Sequence, residues 1–151
     1  MKKHQLTLAT IIAFSFLIIT GCQSDPEELP APKTKTELIT KSSWQFDKAF
    51  SGSFDITAQV NACYKDNVVT FTSATNGTVA NTLVCTPTDN TPATFTWSFQ
   101  NTETILRLSA PLFPGGNGDF NIITLTETAL VVEQTVNFSG TPASVTFHYR
   151  H

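Results

Sequence analysis

Thr94-Phe95-Thr96-Trp97-Ser98-Phe99 is the most regular stretch of this sequence. Three aromatics alternate with three small hydroxyl residues. A period of two puts the rings on one face of an extended strand and the hydroxyls on the other. The same alternation recurs on both sides. Trp44 and Phe46 alternate with Ser43 and Gln45, and Val69 and Phe71 with Thr70 and Thr72. Val145, Phe147 and Tyr149 alternate with Thr146, His148 and Arg150. Val79–Val84, Ile105–Leu108, Phe120–Leu125 and Leu130–Val136 complete a set of eight short strands. Turn chemistry separates them: Asn76-Gly77, Pro87-Thr88-Asp89-Asn90, Asn101-Thr102, Thr126-Glu127-Thr128 and Ser139-Gly140-Thr141-Pro142. Short joins pair sequence neighbours antiparallel. The expected fold is all-β: an eight-stranded antiparallel up-and-down barrel, which leaves no sheet edge open. A two-sheet sandwich is the alternative, because pattern alone does not prove closure.

Composition agrees. The 151 residues suit one domain. Only 14% are charged, against about 25% in an ordinary soluble domain. The chain carries 25 Thr and 12 Phe, residues that favour strands. A net charge of −3 argues against nucleic acid, which needs a basic face. One helical turn is expected near Thr36–Lys41, and no longer helical period is present.

The N-terminus reads as an address. Lys2 and Lys3 precede an apolar run from Leu6 to Ile19, then Gly21-Cys22. This is a secretory signal pattern, and the run is short of the about 20 apolar residues a spanning helix needs. Ile19-Thr20-Gly21-Cys22 resembles the lipobox of bacterial lipoproteins. The resemblance implies cleavage before Cys22 and acylation of that residue. The expected organisation is a signal peptide over 1–21, an acylated tether over 22–36 and the barrel over 37–151. The tether contains Pro26, Pro30 and Pro32. Residues 22–151 keep five Lys and two Arg against twelve acids, a side-chain charge of −5. Acyl chains, not anionic headgroups, then hold the protein to a membrane. Gln23 after the cysteine implies, by likeness to enterobacterial sorting, the outer membrane. Asp25, Glu27 and Glu28 resemble the acidic signal for the cell surface, and read equally as a solvated tether.

Cys63 and Cys85 are the other two cysteines. In an exported protein they read as a disulfide. A hairpin centred near Asn76-Gly77 pairs residues whose numbers sum to 152 and sets Cys85 opposite Asn67. The bond then requires Cys63 in a turn before the strand, or a bulge. Tyr64-Lys65-Asp66-Asn67 has the polarity of such a turn. A closed loop of this size stabilises by about 3 kcal/mol.

Trp44, Cys63, Asp66, Phe71, Gly77, Cys85 and Trp97, with Ile122–Leu125 and Leu130-Val131-Val132, resemble the lipocalin-like lipoproteins of Bacteroidota. The likeness runs from about Leu38 to Arg150. It implies a lipocalin-type barrel on the outer side of the cell, and speaks for fold more than for function. Ser42-Ser43-Trp44 lacks the Gly that lipocalins carry two residues before the Trp. The resemblance also implies that Arg150 covers Trp44 at the barrel base.

Candidate sites are few. Phe71, Phe95, Trp97, Phe99, Phe147 and Tyr149 face inward and either line a pocket for a small hydrophobic or amphipathic ligand or fill the barrel. A filled barrel would instead make a protein-interaction or inhibitor module. The two long connections, Ser51–Ala62 and Pro111–Asp119, are natural lids over one end. Gly115-Gly116-Asn117-Gly118-Asp119 lacks both a phosphate loop's Lys-Ser/Thr and a calcium loop's spaced acids. His148 and His151 lack a ligand cluster, so no metal or cofactor is expected. No nucleophile elbow suggests an enzyme.

Overall fold

A computed structural model describes residues 30–72, 75–83, 93–138 and 140–151. The described strands are β1 (Trp44–Ser51), β2 (Phe54–Asp55), β3 (Val68–Phe71), β4 (Asn76–Ala80), β5 (Thr94–Gln100), β6 (Ile105–Leu108), β7 (Asp119–Leu125), β8 (Ala129–Phe138) and β9 (Thr141–Arg150). Two short helices, α1 (Lys35–Thr40) and α2 (Ala62–Lys65), and a 3₁₀ turn (Thr57–Gln59) accompany them. All strand pairs are antiparallel. From β3 to β9 each strand pairs with the next, and β1 pairs with both β3 and β9. The sheet therefore closes into an eight-stranded up-and-down barrel. β2 is a two-residue spur on the far end of β1, where Phe50 faces Asp55. All these elements lie within one compact unit, Pro32–His151, which carries its own closed ladder and core.

One end of the barrel is shut. Thr34 starts α1 with a capping box: its hydroxyl accepts from the Glu37 N–H at 3.2 Å, and the Glu37 carboxylate accepts from the Thr34 N–H at 2.7 Å. α1 drops the fully buried Ile39 onto the barrel base. The indole of Trp44, also fully buried, donates to the Ile39 carbonyl at 2.8 Å. Lys33 and Lys41 both bind Glu127 in the β7–β8 turn, and Lys35 donates to the Glu103 carbonyl in the β5–β6 turn. His151 covers Trp44, with ring centroids 4.0 Å apart, and its Nδ1 lies 2.8 Å from the Ser43 carbonyl. The expectation that Arg150 covers Trp44 is corrected. The alternation of β9 turns Val145, Phe147 and Tyr149 inward and leaves Arg150 outside, its Nε 3.4 Å from Asp47.

The β3–β4 register also differs from expectation. Val69 faces Val79 and Phe71 faces Gly77, so paired numbers sum to 148 rather than 152. Asn76-Gly77 is strand, not turn. A Cβ on Gly77 would lie 2.3 Å from the Phe95 ring and 2.9 Å from the Thr70 carbonyl. Gly77 is there to let the β5 aromatic lie flat across β4, not to supply a positive φ. The Asn76 carbonyl accepts from the Trp97 indole at 2.9 Å and from the Thr72 N–H at 3.0 Å.

Edge-on aromatics fill the interior beneath. Phe71 meets Phe95 at 5.5 Å and Trp97 at 5.2 Å, and Trp97 meets Phe99 at 5.4 Å. The void left among Trp44, Phe71, Phe120 and Tyr149 measures about 10 Å³, no more than one water.

Candidate functional site

The other end is open, and the two long connections meet there. Past the spur strand β2, Ile56 N–H donates to the Ala49 carbonyl at 2.9 Å. The Thr57 hydroxyl accepts from Ala49 N–H at 3.0 Å. Asp55 accepts from Thr57 N–H at 2.8 Å, and the Thr57 contacts hold its carboxyl below the ordinary carboxylate range. The first connection is thereby folded back over the rim of β1.

The second connection is stapled to β8 from inside the barrel. Gln134 is 2% exposed, and its side-chain amide donates to the Asn117 carbonyl at 2.6 Å and the Asn117 side chain at 3.0 Å. Asn137 N–H donates to the Gly115 carbonyl at 2.9 Å. Gly115 sits at φ +75°, and a Cβ there would come 2.4 Å from the Asn137 carbonyl. Only glycine gives both the left-handed backbone and the close approach. Outside, Arg107 grips Asp119 with two parallel bonds of 2.6 and 2.7 Å, and this guanidinium holds the Asp119 carboxyl low. So anchored, the loop pushes Leu112 and Phe113 down into the barrel, both buried.

Phe113 stacks on Phe147 with centroids 4.3 Å apart and planes 5° from parallel. Tyr64 of α2 leans on Phe113 at 6.1 Å. Above this floor opens a cavity of about 610 Å³, within the range of small-molecule sites. Ile56, Val60, Tyr64, Phe113, Pro114, Val136, Ala143, Val145 and Phe147 make its apolar wall. Ser51, Gln59, Asn61, Gly115 and Asn137 supply its polar groups. Among the described residues, no side chain lining it is charged.

Of the six aromatics read as inward-facing, Phe147 lines this cavity. Tyr149 lies one step deeper, buried against the small void. Its hydroxyl has no partner among the described residues, and burial pushes the phenol above its ordinary value. Phe71, Phe95 and Trp97 belong to the packed lower interior, and Phe99 is half-buried beside Trp97. Tyr64, Phe113, Val136 and Val145 were not singled out from sequence. Val145 and Val136 were legible as strand positions. Phe113 sits in a Pro/Gly loop with no periodicity to show which way it points.

Cys63 is buried in α2, beside the mouth. Three residues on, the Asp66 carboxylate accepts from Thr82 N–H at 2.9 Å, the Thr82 hydroxyl at 2.5 Å and Leu83 N–H at 2.7 Å. The Thr82 hydroxyl is the main reason its carboxyl is held low. This clasp draws the end of β4 to the end of α2. Cys85 and Cys22 lie outside the described residues. His148 faces out, edge-on to Phe50 at 5.1 Å, away from His151 on Trp44. Among the described residues no three His, Cys, Asp or Glu gather as metal ligands, and no helix is long and apolar enough to cross a membrane.

A family model described as Lipocalin-like domain matches residues 25–132. The chain belongs to the lipocalin-like domain family. No curated protein matches the sequence. The lipocalin-like match takes in both lid connections and the floor residues Tyr64 and Phe113. It stops before Val136, Ala143, Val145 and Phe147, so one wall of the cavity is built by residues beyond the matched stretch.

Proposed function

We propose that this lipocalin-like barrel binds a small hydrophobic or amphipathic molecule in the cavity at its mouth, and that acyl chains on Cys22 hold it to the outer membrane. The cavity carries the first half. It is large, mostly apolar and ringed by the two long connections, whereas the interior below is filled. Burying about 200 Å² of a ligand's apolar surface there is worth about 5 kcal/mol before ordering costs. No observation among the described residues calls for catalysis, and the barrel is a binding scaffold.

The anchoring half rests on sequence: the lipobox-like Ile19–Cys22, the short apolar run before it and the Pro-containing tether after it. The reading divides the chain into a signal over 1–21, a tether over 22–36 and the barrel over 37–151. Gln23 favours the outer membrane, and Asp25, Glu27 and Glu28 fit export to the cell surface. A disulfide between Cys63 and Cys85 is part of the proposal. It is supported by the burial of Cys63 and by the Asp66 clasp, which brings Leu83 to α2.

Native mass spectrometry of residues 30–151, expressed with export, tests the binding half. A discrete added mass, lost on denaturation, is expected. A bare protein after incubation with lipid extract would sink the ligand reading and favour a protein-interaction module. A mass two daltons below the reduced value is expected from the disulfide. Metabolic labelling with palmitate tests the anchor: the wild-type chain takes label, and Cys22→Ser does not. Equal labelling of both would remove Cys22 from the account.

A further inference from the structure

We infer that the mouth cavity selects uncharged ligands, aromatic or otherwise flat and apolar, and rejects anionic amphiphiles such as fatty acids. This rests on the ligand-binding reading above and narrows it. The observation is the placement of the cations. Residues 22–151 contain seven, Lys33, Lys35, Lys41, Lys48, Lys65 and the two arginines, and none lines the cavity. Lys33 and Lys41 are committed to Glu127 at the closed base, and Lys35 to the Glu103 carbonyl there. Arg107 is locked onto Asp119 outside the barrel, and Arg150 sits by Asp47. Lys48 is exposed on β1, where its charge acts on Asp55. Lys65 comes nearest along the chain, next to the lining residue Tyr64, and its ammonium is engaged by the Thr57 carbonyl at 3.5 Å. The segments after residue 22 that lie outside the description contain Asp25, Glu27, Glu28 and Asp89 and no Lys or Arg.

A carboxylate or sulfonate taken into this cavity would therefore lose water and gain no countercharge, which is costly. A neutral ligand meets no such cost. The Phe113 and Phe147 rings, which both line the cavity, offer it aromatic contact, and the Gln59 and Asn137 amides offer neutral hydrogen-bond groups at the rim.

Two dyes on the same anilinonaphthalene frame test this. N-phenyl-1-naphthylamine is neutral, and 1-anilinonaphthalene-8-sulfonate adds one negative charge. Each is titrated by fluorescence into residues 30–151, at about 0.15 M and about 1 M salt. The neutral dye is expected to bind saturably and the sulfonate at least tenfold more weakly. The gap should persist at high salt, where long-range repulsion from the acidic body is screened. Gln59→Lys, which puts a cation at the exposed rim, should narrow the gap by tightening the sulfonate about fivefold or more relative to the neutral dye. Equal binding of the two dyes, or a gap that vanishes at about 1 M salt, overturns the selectivity while leaving the pocket standing. A sulfonate affinity that Gln59→Lys does not change also counts against it. Binding of neither dye overturns the ligand-binding reading itself.

Discussion

At the residue scale, two side chains carry the sharpest consequences. Tyr149 buries a hydroxyl with no partner among the described residues. An unmade buried hydrogen bond costs about 1–3 kcal/mol, so Tyr149→Phe is expected to stabilise the barrel by about 1 kcal/mol in urea unfolding. A loss of stability would show that the hydroxyl is bonded. Glu127 is held to about 2 by its bonds to Lys33 and then Lys41. Its folded value lies below the unfolded one of 4.5. Its contribution is therefore complete above about pH 4.5 and disappears as pH falls through about 2. Carboxyl NMR should give Glu127 a midpoint near 2, and the stability gap between wild type and Glu127→Gln should close below that pH. The effect will be small, because all three side chains are exposed. The alternation of β9 alone marks Tyr149 as inward-facing. Nothing local marks Glu127 as the latch for α1, because the two lie nearly ninety residues from each other along the chain.

At the scale of elements, β5 and β9 were legible because their alternation is unbroken. Short turns gave the order and the antiparallel pairing. The errors fell where a local signal had a non-local cause. Asn76-Gly77 carries the strongest hairpin signature in the chain, yet Gly77 is a strand residue made necessary by the Phe95 ring from β5. Gly77→Ala is expected to cost about 1–3 kcal/mol in thermal or urea unfolding through that clash. A neutral result would contradict the β4–β5 packing. Two bulges hide part of the pattern as well. The register shifts between Phe46 and Lys48 in β1 and between Ile122 and Thr124 in β7. Ala49 thus returns inward out of phase with Trp44 and Phe46, and Ile123 is left 59% exposed. The β5–β6 turn holds Asn101, Thr102 and Glu103 at positive φ in succession, with Thr104 N–H bonded back to the Gln100 and Asn101 carbonyls. Composition marks that turn but not its hand. Thr102→Gly should stabilise it by up to about 1 kcal/mol, left-handed strain relieved less the added chain entropy.

For the whole molecule, the barrel divides into a packed lower half and an open upper half. The reason is visible in where the bulk lies. Trp44, Phe71, Phe95, Trp97 and Phe120 crowd the base. Toward the mouth, β8 and β9 present the smaller Val136, Ala143 and Val145, and residues of the two long connections line the rim. A count of inward aromatics could not choose between a filled barrel and an open cavity, since a packed interior and a cavity are both present in different halves. Two-dimensional amide NMR of residues 30–151, titrated with N-phenyl-1-naphthylamine, locates binding directly. Saturable shifts are expected in Ser51–Tyr64, Phe113–Gly115 and Val136–Phe147, with Phe71, Phe95 and Trp97 unmoved. Shifts centred on the lower aromatics, or no saturable shifts at all, would contradict a ligand site at the mouth.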